Sequence, residues 1–316
     1  MLTAHEDRTT DAVISELNQR GASIARIDTG DFPIRSQLAA TISATGVEGR
    51  LRAPDVEVGL SSVQSVYYRR PTRFRFSEGL SDADTLLAAT EARLGFGGVL
   101  AALDVLWLNH PAQVAIAEYK PVQLRIATQC GMRIPRTLVT NDKSSAIQFA
   151  EAVGGTVICK MLSSLVLSEN GVPHMTYTTP IDVGAIDPSA FATTTHLIQE
   201  WVPKKYEARV TMVDKRAFAV AIHAGSERSH IDWRSDYESL TYQKIDPPGE
   251  VVTAIAQFLR RLGLAFGAFD FVVTPNDEWV MLECNPAGQW LWLQEEVGVQ
   301  IAAGIADLLV SGGLDD

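Results

Sequence analysis

The sequence predicts an α/β (α+β) fold made of three successive units, and three observations support this prediction. Segments with helical periodicity alternate with short apolar segments, typical of strands, along the whole chain. With 316 residues the chain is longer than one average domain, and 46% hydrophobic residues are enough for sizeable cores. Changes of pattern near residues 110 and 198 divide it into predicted units 1–110, 111–198 and 199–316.

The first unit combines one early helix, several strands and one long helix. "TTDAVISELNQRG" predicts a helix with Thr10 as its N-cap and Gly21 as its stop. Only "MLT" precedes this helix, so the first strand is very short or the given start lies a few residues late. We predict further strands at "ASIARID", "LAATIS", "EGRLRA" and "SVQSVYYRR", and a long helix from about Ser81 to Leu106.

The middle unit follows "WLNHP", where Pro111 is expected to end the preceding element. A helix starting at Pro121, a strand at "RTLVT", a helix at "SSAIQFAEAVGG" and an apolar strand at "TVICKML" come next. "SSLVLSENGVPHMTYTTPI" then reads as a hairpin-like pair turning at Glu169-Asn170-Gly171.

The last unit consists of two predicted hairpins and two helices. The first hairpin turns near Asp214-Lys215 and is followed by a loop-like stretch, "GSERSHIDWRSDYES". A helix at "EVVTAIAQFLRRLG", the hairpin "AFDFVVTPNDEWVMLECNP" and a final helix ending near Leu309 complete the chain.

Composition excludes several classes of protein. The net charge of −11 disfavours non-specific binding to nucleic acid, and no apolar run approaches the roughly 18 residues of a membrane helix. The N-terminus lacks the basic region of a secretory signal, and the three cysteines are too far apart for a C-x-x-C motif. We therefore expect a cytoplasmic protein with reduced thiols and without nucleic-acid or membrane partners. There is no P-loop motif, so any ATP site must be of another kind.

Two carboxylates and one amide are predicted to converge at the end of the second hairpin. A turn over residues 275–278 pairs Asp270 with Glu283, and the strand period places Asn285 on the same face. The same register pairs Val272 with Met281 and Thr274 with Trp279, and turns Cys284 toward the core.

This set of oxygen ligands suits Mg²⁺, which takes a few carboxylates and leaves its other positions to water and phosphates. The alternative is a hairpin whose carboxylates only face solvent. A second, independent feature is needed to decide between them, and a nucleotide site would be such a feature.

Several charged residues have the positions that a nucleotide site requires. Lys160 lies in the apolar "TVICKML", and Lys120 directly precedes a helix N-terminus, so both could contact phosphates. Backbone groups after "LIQEWV", which carries Gln199 and Glu200, could pair with adenine. Glu207 could accept hydrogen bonds from ribose hydroxyl groups, and Arg209 could reach a transferred phosphoryl group. Taken singly, each lysine can equally be a surface side chain, and the Glu–Arg alternation can be an ordinary strand.

Taken in order, Lys120, Lys160, "QEWV", "KKYEARV", Asp270 and "LECNP" resemble the ATP-grasp superfamily of carboxylate–amine ligases. The sequence is more closely similar to the microviridin-type, or graspetide, maturases, which cyclise ribosomal peptides. The motifs that carry this resemblance are "YYRRP", "WLNHP", "EYKPVQL", "QEWVPKKYEARV", "IDWRS" and "LECNPAGQW". The N-terminal segment resembles an actinobacterial branch of these enzymes. The phosphate-covering loop departs from the glycine-rich pattern of many relatives, because "SSLVLSENGVPH" has one glycine.

This resemblance implies an ATP-grasp fold with an N-terminal pre-grasp domain and two grasp subdomains that hold ATP and Mg²⁺ between them. It implies activation of Asp or Glu side chains of a precursor peptide as acyl phosphates, followed by attack of Ser, Thr or Lys and closure of ω-ester or ω-amide rings. It also favours a homodimer. The implied ligands are phosphates for Lys120 and Lys160, adenine for Gln199, Glu200, Trp201 and Val202, ribose for Glu207, transferred phosphate for Arg209, and Mg²⁺ for Asp270, Glu283 and Asn285.

Other residues have competing interpretations. Arg234 can bind the acyl phosphate or the acceptor carboxylate with Asp232 orienting it, or the two can form a surface ion pair. His223 can be a general base or a core side chain. Arg69 and Arg70 can meet an acidic peptide or cap a strand. Trp290 and Trp292 can be substrate platforms, but packing is the favoured role for both.

Two other functions remain open for the sequence. One is an amino-acid ligase of the same fold, similar to glutathione or glutamate ligases, and the other is a nucleotide-binding scaffold without turnover.

Overall fold

A computed structural model describes residues 1–163, 167–169, 172–174 and 178–314, with side chains described outside 164–177. The predicted turn residues Asn170 and Gly171 therefore lie outside the described part. None of the described helices is long and apolar enough to cross a membrane.

The first unit contains a parallel sheet and a separate antiparallel sheet. Its elements are β1 (Leu2–Thr3), α1 (Arg8–Gln19), β2 (Gln37–Ser43), β3 (Gly46–Ala53), β4 (Val56–Gly59), β5 (Ser65–Arg69), α2 (Asp82–Ala101) and β6 (Leu106–Leu108). The parallel sheet has the order β1-β5-β6, and β2-β3-β4 form the antiparallel one. The very short first strand is confirmed.

Two details of the first unit differ from the prediction. The N-cap of α1 is Asp7, whose side chain accepts hydrogen bonds from Thr9 and Thr10, so the helix begins earlier than Thr10. "ASIARID" is not a strand, because the two-residue β1 offers it a single bridge, between Leu2 and Ile27.

The middle unit is an antiparallel sheet, β11-β8-β12-β7, with α5 packed against it. Its elements are α3 (Pro111–Ala117), α4 (Lys120–Gln129), β7 (Thr137–Thr140), α5 (Lys143–Ala152), β8 (Val157–Lys160), β9 (Leu167–Glu169), β10 (Val172–His174), β11 (Thr179–Ile181), α6 (Pro188–Phe191) and β12 (His196–Glu200). Strands β9 and β10 form the expected antiparallel pair. Pro111 begins α3 instead of only ending an element, because proline lacks an N–H that the first helical turn leaves unpaired anyway.

The last unit is a five-stranded antiparallel sheet in the order β15-β14-β13-β16-β17. Its elements are β13 (Tyr206–Val213), β14 (Arg216–His223), α7 (Glu227–Ile231), β15 (Thr241–Ile245), α8 (Gly249–Leu262), β16 (Phe266–Val273), β17 (Trp279–Asn285), α9 (Leu291–Val297) and α10 (Ile301–Ser311). Helices α8 and α10 contribute to two separate apolar clusters that include residues of this sheet. The stretch predicted as a loop contains α7 and two short 3₁₀ turns, and the exposed strand β15 follows it.

The β16–β17 hairpin has the predicted pairing at the carboxylates and a shift beyond them. Asp270 pairs with Glu283 as predicted, but Phe271 pairs with Met281, which leaves Leu282 as an extra residue. This bulge makes the predicted pairs of Val272 with Met281 and Thr274 with Trp279 wrong by one residue. Cys284 lies in the core with 1% of its surface exposed, as the strand period predicts.

Asn109, in "WLNHP" at the end of the first unit, connects that unit to the last sheet. Its Nδ2 donates to the carbonyl oxygens of Phe266 and Pro286, each at 2.8 Å. Its Oδ1 accepts from the backbone N–H groups of Ala265 and Phe266 at 2.8 and 3.1 Å. This buried amide therefore holds the start of β16 next to the loop that follows β17.

Candidate active site

A cleft of about 1540 Å³ is lined by residues of the middle sheet, the last sheet and the start of α4. It brings together most of the residues that the sequence singled out. Those that line it are Arg70, Lys120, Lys160, Glu200, Trp201, Val202, Glu207, Arg209, Asp232, Arg234, Asp270, Glu283 and Asn285.

The centre of the cleft is a row of charges on three adjacent strands. Arg209 on β13 pairs with Asp270 on β16, which pairs with Glu283 on β17. Arg209 Nη1 lies 2.6 and 2.7 Å from the two carboxylate oxygens of Asp270. Asn285 Nδ2 lies 3.5 Å from Asp270 Oδ2 and 3.4 Å from Glu283 Oε1. The alternative of a solvent-facing hairpin is therefore excluded.

Helix α4 positions Lys120 against Glu283. The buried Gln123 binds the backbone of Cys284 at the outer edge of β17, because its Oε1 accepts from the Cys284 N–H and its Nε2 donates to the Cys284 carbonyl, each at 2.8 Å. One turn earlier, Lys120 forms an ion pair with Glu283. Gln123 lies in "EYKPVQL", but the sequence alone gave no reason to assign it this role.

The two carboxylates have opposite pKa shifts. Burial raises the pKa of Asp270, against the opposing effect of Arg209. Burial would also raise the pKa of Glu283, but Lys120 and Lys160 lower it to about 2. Glu283 is thus held ionised by two lysines from two different elements.

The side-chain ammonium group of Lys160, at the end of β8, has no hydrogen bond or ion pair with any residue that the structure describes. Burial lowers the pKa of Lys160, and the negative charge of Glu283 opposes this shift most strongly. The Nε of Arg209 is likewise buried without an acceptor among the described residues. Cationic donors without acceptors in one cleft provide the conditions for binding an anion.

Lys204 contacts Glu207 but was not predicted from the sequence. Its Nζ donates to Glu207 Oε1 at 2.5 Å and to the Ile231 carbonyl at 3.3 Å. The two side chains are 6% and 10% exposed. Burial raises the pKa of Glu207, and the ion pair opposes that shift. The next lysine, Lys205, pairs instead with the exposed Asp277, so the sequence could not distinguish the two.

Asp232 and Arg234 form a partly buried unit and not only a surface ion pair. Arg234 Nε and Nη2 donate to the two oxygens of Asp232 at 2.9 and 2.6 Å. Asp232 Oδ2 also accepts from the backbone N–H of Thr178, in the middle unit, at 2.9 Å. Burial raises the Asp232 pKa, but Arg234 outweighs it and the net shift is downward. The pair therefore connects the two units at the cleft.

Three predicted residues do not line the cleft. Gln199 is buried in β12 and its Nε2 donates to Thr137 Oγ1 at 2.9 Å. The ring of His223 packs against Tyr206, with centroids 5.3 Å apart. Arg69 lies behind the cleft wall, where Nη2 donates to Gln289 Oε1 at 2.5 Å. Its neighbour Arg70, with φ of 47°, does line the cleft.

The two tryptophans after "LECNP" have different environments. Trp290 is fully buried, as expected. Trp292 packs against the apolar cluster of α10 and also lines the cleft beside Trp233, with ring centroids 5.5 Å apart. It lies two residues after Trp290 at the start of α9, which brings the two rings to different sides.

Comparisons with known proteins identify relatives over the whole chain. Residues 1–115 match the MvdD pre-ATP grasp domain. A Chryseobacterium gregarium RiPP-associated ATP-grasp ligase, solved with ADP and a leader and core peptide, is 26% identical, with a TM-score of 0.89 over 99% of this chain and 96% of that one. The chain has the ATP-grasp fold and is similar to RiPP-associated ATP-grasp ligases.

Two further solved structures agree with this assignment. The macrocyclase MdnC of Microcystis aeruginosa MRC, bound with precursor peptide MdnA, is 27% identical with a TM-score of 0.84, over 99% of this chain and 98% of that one. Macrocyclase MdnB of the same organism is 29% identical with a TM-score of 0.81 and covers 98% of both chains. No curated protein matches the chain. The α/β fold is thus an ATP-grasp fold with an N-terminal pre-grasp domain.

Proposed function

We propose that the chain activates Asp or Glu side chains of a ribosomally made precursor peptide as acyl phosphates, at the expense of ATP. A Ser, Thr or Lys side chain of the same peptide then attacks, forming an ω-ester or ω-amide ring and releasing phosphate. The observation that carries this proposal is the row of Arg209, Asp270 and Glu283, with Lys120 and Lys160 in the same cleft.

The residues present fit ATP and Mg²⁺. Lys160 and Arg209 Nε are donors without acceptors among the described residues, which suits phosphate oxygens. Asp270 and Glu283 offer the hard oxygen ligands that Mg²⁺ prefers, and a rotated Asn285 amide, whose Nδ2 faces both carboxylates here, would add a third. Among the described residues no three His, Cys, Asp or Glu side chains are placed to hold a metal ion, so an amide and phosphate oxygens would complete this ligand set. Bound Mg²⁺ would neutralise phosphate charge.

The proposed roles follow the geometry of the cleft. Lys120 and Lys160 bind phosphates, residues 200–202 bind adenine and Glu207 binds ribose. Arg209 stabilises the charge of the transferred phosphoryl group. Arg234, oriented by Asp232, binds the activated carboxyl group, and Arg70 meets acidic side chains of the peptide.

Three further features belong to this proposal. The units 1–110, 111–198 and 199–316 are the pre-grasp domain and the two grasp subdomains. The enzyme acts in the cytoplasm and as a homodimer. Arg69 supports the loop after β17 through Gln289 and does not contact the peptide itself.

Mass spectrometry tests the proposal with ATP, Mg²⁺ and an acidic precursor peptide encoded beside the gene. Ring closure removes the mass of one water per bond, together with one ADP and one phosphate formed. An amino-acid ligase would instead add a residue mass, and a scaffold would bind ATP without releasing phosphate. Either of these two results would contradict the proposed ring closure. No specific observation favours the amino-acid ligase or the scaffold.

A further inference from the structure

Four aromatic rings line one wall of the cleft and have no role in the proposed chemistry. Trp233 and Tyr237 meet edge to face at 5.6 Å, Trp233 and Trp292 lie 5.5 Å apart, and Tyr242 and Trp292 lie 5.2 Å apart. All four line the cleft, and we name them the aromatic wall. They come from the turns after α7, from β15 and from α9, so only the folded chain brings them together.

A carboxylate lies beside the aromatic wall. Glu296 follows Trp292 by one turn of α9, on the same helix face, and it lines the cleft. Burial is the main cause of the raised pKa of Tyr242, and the negative charge of Glu296 is the second, so the carboxylate lies close to that ring. No described residue forms an ion pair or hydrogen bond with the Glu296 carboxylate. The preceding Glu295, by contrast, pairs with Arg8 at 2.8 Å and does not line the cleft.

The combination of aromatic faces and an unpaired carboxylate favours a cation. The face of an indole or phenol ring is the negative side of its quadrupole and attracts ammonium or guanidinium groups. Arg234, which follows Trp233 in the sequence, has its guanidinium already paired with Asp232. The charge of Glu296 therefore remains available to a positively charged ligand.

We infer that the aromatic wall and Glu296 form a subsite for a protonated lysine or arginine side chain of the peptide substrate. This inference rests on the proposed function only in taking a peptide as the substrate. A lysine held there is a recognition element and not the nucleophile, because attack on an acyl phosphate requires the neutral amine, whereas this subsite stabilises the charged form. The aromatic wall would thus select peptides with a basic residue near the reacting carboxyl group.

The test uses the full chain with ¹⁵N-labelled tryptophan and Nα-acetyl-L-lysine methylamide as the probe, at millimolar concentrations and without ATP. The probe should shift the indole signals of Trp233 and Trp292, each assigned through its Trp→Phe variant. The matched norleucine methylamide, which lacks the charge, should shift them much less. Glu296→Gln should weaken lysine binding roughly fivefold, the usual scale of one exposed charge and ring contact. Glu295→Gln, the control on the same helix, should leave binding unchanged.

Two results would overturn the inference. Equal binding of the lysine and norleucine probes would show a merely apolar surface. If the lysine probe shifted neither the Trp233 nor the Trp292 indole signal, there would be no subsite. Because binding is measured without turnover, these results are separate from the fate of ring closure. A chain that binds the probe but forms no rings would contradict the proposed reaction and leave the subsite standing.

Discussion

Asp270 and Glu283 lie directly opposite each other on β16 and β17, and each carboxylate is neutralised by a cation from a different element. Arg209 of β13 binds Asp270, and Lys120 of α4 binds Glu283. Like charges placed opposite each other on a sheet destabilise it. The two facing carboxylates therefore lower the stability of the sheet, as expected when a protein positions the ligands of a cation in advance.

Replacing either carboxylate should abolish turnover, and the two replacements should differ in their effect on stability. In Asp270→Asn and Glu283→Gln, kcat should fall by roughly 100-fold or more. Mg²⁺ loses a carboxylate ligand in each variant, and the charge of the phosphates is then less well neutralised. For Asp270→Asn the free energy of unfolding should change by only about 1 kcal/mol, because burial and Glu283 already disfavour the charge of Asp270. Glu283→Gln should lower it by about 1–3 kcal/mol, because Lys120 and Lys160 lose their anionic partner. Asp277→Asn, at the exposed end of the same hairpin, is the control. Full activity of both site variants would remove the metal assignment.

Lys160 should lower the stability of the free protein and raise its affinity for ATP. In Lys160→Met the apparent KM for ATP should rise by roughly tenfold or more, because a buried phosphate contact is lost. Lys205→Met, which removes only a surface ion pair, is the control. An unchanged KM would exclude Lys160 from the phosphate site.

The same variant also predicts a pH dependence of stability. The pKa of Lys160 in the folded chain lies below its ordinary value of 10.5, so burial of the charged form destabilises the fold at neutral pH. That penalty lessens as pH rises through the folded pKa and disappears above the unfolded value. Urea unfolding should therefore find Lys160→Met more stable than wild type at pH 7, and the difference should shrink toward pH 10.5.

The sequence predicted the parts of the site that depend on local order. The alternation along β17 placed Glu283 and Asn285 on one face and Cys284 in the core, and the turn placed Asp270 opposite Glu283. It could not predict the bulge at Leu282. Where a strand takes up an extra residue depends on how the whole hairpin packs, and not on its own alternation.

Side-chain contacts between residues that are far apart in the sequence could also not be predicted. Lys204 and Lys205 are adjacent and chemically identical, and only the folded chain turns one toward Glu207 and the other toward Asp277. Trp292 lines the cleft because Trp233, from another part of the chain, packs beside it. His223 was one candidate for the general base. Its strand, β14, pairs with β15, and the sequence did not predict β15, so this environment of His223 could not be foreseen.

Lys204 should stabilise the fold by neutralising a buried carboxylate. Lys204→Met leaves Glu207 buried without its cation, which should lower the free energy of unfolding by about 3 kcal/mol. The double variant Lys204→Met/Glu207→Gln should recover most of this loss, because no unpaired charge remains. Urea unfolding of the two single variants and the double variant gives the coupling energy. Additive effects would mean that the two side chains do not interact in solution.

Gly288 should be required for the position of Arg209. A Cβ at this residue would lie 2.5 Å from the Ala268 Cβ, 3.1 Å from Arg209 Nη2 and 3.2 Å from the Asn285 Cβ. Ala268 belongs to the central strand β16 and cannot move away, so the loop carrying Gly288 must shift. Gly288→Ala should therefore lower kcat by roughly 10-fold to 100-fold and stability by about 1–3 kcal/mol.

A second substitution distinguishes this steric cause from a general loss of loop freedom. Ala268→Gly removes the atom in closest contact, so Ala268→Gly/Gly288→Ala should recover much of the kcat that Gly288→Ala loses. Gly97→Ala, where a Cβ meets open space, is the control and should leave kcat unchanged. If the double variant is as inactive as Gly288→Ala, the loss comes from the loop backbone and not from contact with the sheet. Recovery would instead show that the close approach of this loop to β16 holds Arg209 over Asp270.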